Sequence, residues 1–317
     1  MSLSSTNALH LGSVLFFPHL SPIGLEHKEI ITYFSGLYEK PNSDLNFVSL
    51  WGYMYSECGI SQLNNNLVIK LLDYHDQKPY FSFIGNNKVA ETSSVLLEFA
   101  KNNGFEPYLR TIHEDILDGV IPKLQTKFDI RHDPDFDDYI FDLTLIPQLD
   151  GGRYSDRRRE IHSFKKKYPE YLFKKIDLAS VSIQREITDL FSLWEVQNSP
   201  KVSIMESNAF QRVLTHAEEL NVEGFGLYVG NIIVGFMLCE PLNDQYVMSH
   251  YAKSNYFYNF SYSMLVYLTA CYYGSKKYKF LNFQQDLGIS GLRIYKRLWR
   301  PLSYTHKYII SFKNTPL

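Results

Sequence analysis

The sequence has little net charge and few cysteines, and these two shortages exclude several classes of protein. Its 317 residues carry a formal net charge of −2, so any nucleic-acid or anion binding has to come from a local cluster of basic residues. Cys58, Cys239 and Cys271 are widely spaced and odd in number, which suggests neither a disulfide framework nor a zinc site. These features favour a reducing, cytoplasmic environment and predict no bound metal.

Long apolar runs and common catalytic motifs are also missing. The longest apolar runs, such as SMLVYLTACYY, fall short of the ~20 residues that a membrane-spanning helix needs. The sequence therefore predicts no transmembrane segment, while peripheral contact with an anionic lipid surface stays open. It contains neither a G-x-S-x-G elbow nor a P-loop. The acidic stretch HDPDFDD matches no calcium loop and is interpreted as a solvated linker.

The length of the chain indicates two domains of mixed helix and strand. A chain of 317 residues exceeds what one hydrophobic core usually organises. Helical and strand patterns alternate throughout, and the strongest turn signal is PQLDGG, which begins at Pro147. We therefore expect an α+β protein with domains at residues 1–147 and 148–317, the second of which carries the candidate site.

One stretch of the second domain, FLNFQQDLGISGLRIYKRLWRP, starts as a strand with polar residues on one face. Alternation of side chains would place Asn282, Gln284 and Asp286 together on that face. Buried polar groups are costly unless they are paired. These three residues are therefore either a structural hydrogen-bond network or a catalytic site that orients an acceptor or polarises a carbonyl.

The strand is followed at once by a basic helix. Ser290 can cap this helix, and Arg293, Lys296 and Arg300 share one helical face with Arg297. A helix start followed by cations suits a phosphate-bearing or otherwise anionic donor. The alternative is an ordinary solvated helix face.

A second basic cluster, GRYSDRRREIHSFKKKYP, contains one arginine on an apolar helix face. Arg157 falls between Tyr154 and Ile161 on that face, where a cation needs a paired anion. Its partner is either a protein carboxylate, in an internal salt bridge, or the donor.

These segments resemble the domain family related to the C-terminal catalytic region of phosphatidylglycerol lysyltransferases. The resemblance is carried by the second basic cluster, by YAK before a long helix, and by QDLG followed by GLR-x-x-K-x-x-x-x-P; NFVSLWGY and FSFIG support it in the first half. It implies two tandem Gcn5-related acyltransferase (GNAT-like) domains around a shared cleft. It also implies transfer of an acyl or aminoacyl group, as in the lysyltransferases, which use an aminoacyl-tRNA donor and a lipid hydroxyl acceptor.

Two departures from the family pattern shape the functional expectation. Gln284 stands where the family usually has an acidic residue, so a general base is missing there. The segment NYFYNFSYSM lacks the usual glycine before the long helix, which makes coenzyme A thioesters less favoured as donors than aminoacyl-tRNA. We therefore expect transfer of an acyl or aminoacyl group to a hydroxyl or amine, with no cofactor. A degenerate, non-catalytic module that binds an anionic ligand, RNA or a protein is the alternative, and a purely structural role is the third.

Overall fold

The computed structural model describes residues 14–198 and 204–313, which form two compact units. Of these residues, the first unit contains 14–137 and 305–313, and the second contains 138–198 and 204–304. The chain changes unit between Asp137 and Asp138, before the predicted division near Pro147, because the strand Asp138–Asp142 pairs in the sheet of the second unit. Strand periodicity alone does not tell which sheet a strand joins.

The sheet of the first unit has six strands within the described residues, in the order β1-β2-β3-β4-β13-β5. They are β1 (Gly59–Leu63), β2 (Asn66–Leu72), β3 (Pro79–Ile84), β4 (Tyr108–His113), β5 (Phe128–His132) and β13 (Lys307–Phe312). β3 and β4 are parallel, and the other pairs are antiparallel. The C-terminal strand thus lies between two strands from the first half of the chain.

The sheet of the second unit has seven strands in the described part of the chain, in the order β12-β6-β11-β10-β9-β8-β7. They are β6 (Asp138–Asp142), β7 (Tyr171–Ile176), β8 (Glu223–Val229), β9 (Ile232–Pro241), β10 (Tyr246–Ser254), β11 (Phe280–Asn282) and β12 (Ser303–Thr305). β10 and β11 are parallel, because a helix connects them. Gly230 and Asn231, a pair typical of tight hairpin turns, join β8 to β9, and Gly230 has φ 59°.

Helices precede, connect or follow these strands in both units. Those of the first unit are α1 (Lys28–Ser35), α2 (Phe47–Gly52), α3 (Val89–Asn102), α4 (Glu114–Leu117) and α5 (Ile121–Leu124). Those of the second unit are α6 (Ser155–Lys167), α7 (Val181–Asn198), α8 (Ile204–Thr215), α9 (Ser261–Ser275) and α10 (Ser290–Leu298). Together with the two mixed sheets they confirm the α+β class. In the described ranges, every helix is too short or too polar to cross a bilayer.

The core of the second unit fixes the three helices that matter for the site. Phe164 of α6 and Leu265 of α9 pack into one cluster with the strands and with Trp299, the residue that directly follows α10. Tyr295 of α10 packs against this cluster. Burial of large apolar side chains is the main stabilising term in such a core, at roughly 1.5–3 kcal/mol for each. This packing holds the start of α9 close to polar residues of α6 and α10.

The acidic stretch at residues 132–138 is not the solvated linker that the sequence predicts. Asp133, Asp137 and Asp138 are all buried, and Asp133 forms an ion pair with Arg110 at 2.7 Å. The prediction failed because Arg110, His306 and Asn282, which hydrogen-bond to these carboxylates, come from distant parts of the chain. The local sequence therefore has the composition of an exposed segment.

Candidate functional site

The polar stretch after β11 forms a loop rather than a continued strand. β11 ends at Asn282, and the backbone is left-handed at Gln284 (φ 56°), Leu287 (φ 53°) and Gly288 (φ 71°). The predicted alternation, which would place Gln284 and Asp286 with Asn282 on one strand face, is therefore wrong. A residue with positive φ turns the chain out of the strand, and side-chain periodicity gives no sign of such a turn at a glutamine.

Asp286 is the most heavily bonded residue of this loop. Its buried carboxylate accepts two hydrogen bonds from the Arg293 guanidinium, at 2.8 and 2.7 Å. The Tyr139 hydroxyl donates to it at 2.6 Å and the Gly288 amide at 2.9 Å. Burial alone would raise the pKa of Asp286, but these bonds to the ionised form outweigh burial and keep that pKa below its usual range.

Lys296 is enclosed by the same loop. Its ammonium donates to the backbone carbonyls of Phe283 at 2.6 Å, Gln284 at 3.1 Å and Gln285 at 2.7 Å. The residue is buried, so an exposed basic stripe that includes Lys296 does not form. Its three bonds hold the loop in its left-handed course.

The two predicted amides differ in their surroundings. Asn282 is fully buried; its side chain donates to Asp138 at 3.0 Å and accepts from the Gln284 backbone amide at 2.8 Å. Gln284 is partly exposed, so its side-chain amide can reach a ligand. The Asp286 cluster, as we call it, consists of Asp286 with its partners Arg293 and Tyr139, together with Asn282 and Lys296, which bond to the backbone of the same loop.

Two predicted donor-binding residues lie at the ends of α10. Ser290 is exposed and is the first residue of α10. The cap position is occupied by Ile289, which forms no side-chain hydrogen bond to the helix, so the prediction that Ser290 caps α10 is wrong. Arg300 lies beyond the last residue of the helix, with φ 55°, and donates to the Arg153 carbonyl at 3.1 Å. The helix stops before Pro301, because the residue that precedes a proline disfavours the helical conformation.

Arg157 forms the internal salt bridge that the sequence offered as one alternative. Its buried guanidinium donates to Glu160 at 2.9 Å and to the Ser263 hydroxyl at 3.2 Å. The guanidinium also lies over the Tyr295 ring at 5.1 Å, a cation–π contact. Arg157 thereby connects α6 with α9 and α10.

Ser263 is the shared contact of this second group. It donates to the Glu160 carboxylate at 2.6 Å, and the Tyr295 hydroxyl lies 3.3 Å away. Burial raises the pKa of Tyr295 to about 12, so its phenol keeps a proton to donate at neutral pH. We call Arg157, Glu160, Ser263 and Tyr295 the Ser263 group.

The Ser263 group borders a pocket of about 290 Å³ at the beginning of α9. The pocket, named the α9 pocket here, is lined by Ser254, Tyr256, Tyr258, Asn259, Phe260, Ser261, Tyr262 and Ser263. The Ser254 hydroxyl is buried and has no hydrogen-bond partner among residues 14–198 and 204–313. A buried hydroxyl without a partner costs free energy unless a ligand or water completes it.

The start of α9 also presents backbone amides, of which that of Ser261 donates to the Tyr258 carbonyl at 3.0 Å. Amides of a first helical turn have no partner inside the helix, and they form its positive end. The cap residue Phe260 supplies no side-chain hydrogen bond. It adopts φ 65°, the left-handed conformation that glycine favours, and it lies in the segment NYFYNFSYSM, which contains no glycine.

The structure thus brings the predicted residues into two groups within the second unit. Asn282, Asp286, Arg293 and Lys296 lie together, and Arg157 lies with the α9 pocket. Sequence reasoning missed Tyr139, Glu160, Ser263 and Tyr295. Only Glu160 had a local signal, since it follows Arg157 at the i,i+3 spacing of helical ion pairs.

Known proteins match this chain over nearly its whole length. A family model described as "Phosphatidylglycerol lysyltransferase, C-terminal" matches residues 36–311. A conserved protein of unknown function from Bacteroides thetaiotaomicron VPI-5482 is 24% identical, with a TM-score of 0.80, over 93% of this chain and 99% of that one. No curated protein matches.

Two further solved structures share this fold. L-PGS from Bacillus licheniformis is 14% identical, with a TM-score of 0.62, over 91% of this chain and 93% of that one. A tandem GNAT protein from the clavulanic acid biosynthesis pathway is 8% identical, with a TM-score of 0.51, over 94% and 99%. These likenesses confirm the expected tandem GNAT-like fold.

Proposed function

We propose that this chain, which belongs to the phosphatidylglycerol lysyltransferase C-terminal family, transfers an acyl or aminoacyl group from a donor held at the α9 pocket to a hydroxyl or amine acceptor. The observation that carries the proposal is the contact between this pocket and the Ser263 group. Ser263 lines the pocket and is hydrogen-bonded to both Glu160 and Arg157. A ligand in the pocket would therefore lie next to a carboxylate and a cation.

An anionic donor suits the electrostatics of the pocket. The uncapped start of α9 presents partial positive charge, and the free Ser254 hydroxyl can complete its hydrogen bonding on the donor. Phe260 occupies the cap position with a bulky side chain, whereas close approach of a pyrophosphate to backbone amides favours glycine. We therefore take aminoacyl-tRNA, with an amino acid esterified to ribose, as the donor in preference to a coenzyme A thioester.

Glu160 is the proton acceptor in this mechanism. The acceptor hydroxyl or amine attacks the ester carbonyl carbon, and the bond from that carbon to the ribose oxygen breaks. The proton of the acceptor passes to the Ser263 oxygen as the Ser263 proton passes to Glu160, 2.6 Å away. Glu160 then returns the proton by the same route to the departing ribose oxygen, so no proton is gained or lost. A carboxylate in this position replaces the acid that is missing at Gln284.

The Asp286 cluster has a supporting part in the proposal. Asp286 and Lys296 fix the loop from which α10 starts, and α10 carries Tyr295 to Ser263. The partly exposed side chain of Gln284 is available to orient the acceptor, with Asn282 holding its backbone. The predicted direct contact of Arg293, Lys296, Ser290 and Arg300 with the donor stays a prediction.

The loop before α9 supports a peripheral lipid contact. Tyr256, Phe257 and Phe260 are all exposed on this loop, and Phe257 exposes 77% of its surface. Exposed aromatic side chains partition into the lipid–water interface. We place the reaction on the cytoplasmic side of a membrane, where aminoacyl-tRNA is made, with an anionic lipid as one acceptor to test.

Thermal shifts of the purified protein test the donor. The ligands are bulk aminoacylated tRNA, deacylated tRNA, an acetyl or longer acyl coenzyme A, and vesicles of anionic lipid, since a ligand that binds the folded state raises its melting temperature. We expect a shift with charged but not with uncharged tRNA. We expect Ser263→Ala to reduce that shift and Ser275→Ala, at the other end of α9, to preserve it.

The other outcomes reject the donor assignment in distinct ways. A shift with the coenzyme A thioester alone would identify a thioester donor and overturn the argument from Phe260. Equal shifts with charged and uncharged tRNA would favour a module that binds RNA without catalysis. Silence from all four ligands would reject the proposed donor classes.

A further inference from the structure

Two histidines and an aspartate of the first unit converge outside the site described above. His132 is the last residue of β5, Asp137 follows in the next loop, and His306 immediately precedes β13. Antiparallel pairing of β5 with β13 sets His132 opposite Tyr308. Residues two apart share a face of a strand, so the pairing also brings the rings of His132 and His306 together, with centroids 4.9 Å apart.

One carboxylate oxygen contacts both imidazoles. Asp137 Oδ2 lies 2.8 Å from Nε2 of His132 and 2.9 Å from Nδ1 of His306. All three donor atoms lie within 4.8 Å of one another. Ligand atoms around a tetrahedral zinc ion, each about 2.0–2.1 Å from the metal, are separated by about 3.3 Å. Each nitrogen would have to move about half an ångström away from the Asp137 oxygen, and the two imidazole nitrogens, which lie within 4.8 Å of each other, would have to adopt the same separation to hold an ion.

The surroundings orient the carboxylate and leave the cluster accessible. The backbone amide of Lys307 donates to Asp137 Oδ1 at 3.1 Å, which fixes the carboxylate in the way that outer hydrogen bonds fix metal ligands. The side chains of His132 and His306 are 41% and 38% exposed. The nearby Lys40 ammonium is paired with Glu114 at 3.0 Å, so its charge is offset.

We propose that His132, Asp137 and His306 form a binding site for a divalent transition-metal ion, with Zn²⁺ as the first ion to test. Two imidazoles and one carboxylate suit Zn²⁺, Fe²⁺ or Ni²⁺, whereas Mg²⁺ and Ca²⁺ prefer all-oxygen sites. Three protein ligands leave at least one coordination position for water or another ligand. Two of the three ligands, His132 and Asp137, lie in the stretch HDPDFDD, which matches no calcium loop. The third cannot be found from sequence spacing, because His306 lies 169 residues after Asp137.

The ion would tie the C-terminal return of the chain to the first unit. His306 directly precedes β13, while the other two ligands lie in and after β5, which is the neighbour of β13 in the sheet. A preformed site of this kind does not exist in the unfolded chain, so the binding free energy adds to the stability of the folded state. This role is independent of the acyl transfer proposed above.

Titration calorimetry on chelator-stripped protein tests the site directly. We expect one Zn²⁺ to bind per chain and to raise the melting temperature, and Mg²⁺ to do neither. His132→Ala and His306→Ala should each weaken Zn²⁺ binding by at least tenfold, as loss of one ligand does. His162→Ala, which removes an exposed histidine of α6, serves as the control and should bind as the native protein does.

Asp137 is left unchanged in these variants, because it also accepts a backbone hydrogen bond and its loss could disturb the fold. Folding of the histidine variants is checked separately. His306→Gln keeps a polar side chain at the position and should retain the melting temperature of the stripped native protein while it loses Zn²⁺ binding. Absence of Zn²⁺ binding by the native protein would overturn the proposal. Equal binding by the native protein and by folded His132 and His306 variants would overturn it as well.

Discussion

The guanidinium of Arg293 forms two hydrogen bonds with the carboxylate of Asp286, seven residues earlier in the chain. The carboxylate is fully buried and the arginine side chain is 28% exposed. This bidentate pair closes the loop between β11 and α10, so the position of α10 depends on it.

Removal of either partner should destabilise the protein. We expect Arg293→Ala to lower the free energy of unfolding by about 2 kcal/mol, less than the ~3–5 kcal/mol of a fully buried pair because Arg293 is partly exposed. The combined Arg293→Ala, Asp286→Ala variant should be more stable than the sum of the single effects predicts, because neither charge is left alone. Urea unfolding of all four proteins measures the coupling, and strict additivity would exclude it.

Asp286 should also make stability depend on pH. Its pKa is lower in the folded protein than in the unfolded chain, so the unfolded chain takes up the proton first as the pH falls. The stabilisation is complete above the unfolded pKa of about 3.9 and is lost as the pH falls through the folded value.

The variant Asp286→Asn isolates this effect because it cannot ionise. The difference in free energy of unfolding between the native protein and Asp286→Asn should stay constant from about pH 7 to pH 5 and narrow below about pH 4. Urea unfolding at several pH values measures it. A difference that does not change with pH would mean that the Asp286 carboxyl has an ordinary pKa.

Lys296 should matter to stability far more than its neighbour on the same helix. Lys296→Met keeps an unbranched side chain of nearly the same length but removes a donor from three backbone carbonyls. The Gln284 carbonyl keeps its bond from the Tyr139 amide at 3.1 Å, and we expect a loss of about 3 kcal/mol. Arg297 is exposed, and Arg297→Met should change stability by no more than about 0.5 kcal/mol. Equal effects of the two substitutions on the urea midpoint would show that Lys296 does not hold the loop.

Two serines that line the α9 pocket should respond in opposite ways to replacement by alanine. Ser254→Ala removes a buried hydroxyl that lacks a partner, so its stability should equal or exceed that of the native protein. Ser263→Ala removes the hydrogen bond to Glu160 and should cost about 1 kcal/mol. Thermal unfolding without ligand distinguishes them; a destabilised Ser254→Ala variant would show that its hydroxyl is already satisfied.

Much of the fold follows from periodicity, which predicts the α+β class, the β8–β9 hairpin and the long helix α9. The loop after β11 cannot be predicted in this way, because the alternation of side chains does not indicate that the backbone is left-handed at Gln284. Turns at glycine are recognisable in sequence, and turns at glutamine or leucine are not.

The candidate site shows the same limit at the level of contacts. The sequence predicts that Arg157 needs an anion, and Glu160 supplies it three residues later. Ser263 lies 106 residues after Arg157 in the chain, and Tyr295 lies a further 32 residues after Ser263. Only the packing of α6, α9 and α10 brings them together. The predicted cation stripe on α10 failed because burial of Lys296 is decided by the loop that folds over it.

Consumption of the donor tests the central claim most directly, because it does not require the acceptor to be known. Bulk tRNA charged with radiolabelled amino acids is incubated with vesicles of anionic lipid or with a simple amine, and loss of label from the tRNA is followed. We expect the native protein to accelerate that loss when an acceptor is present. Glu160→Gln should be slower by at least about 100-fold, whereas Glu170→Gln, at an exposed position, should match the native protein. Equal rates for all three proteins, or no acceleration by any of them, would contradict the proposed function.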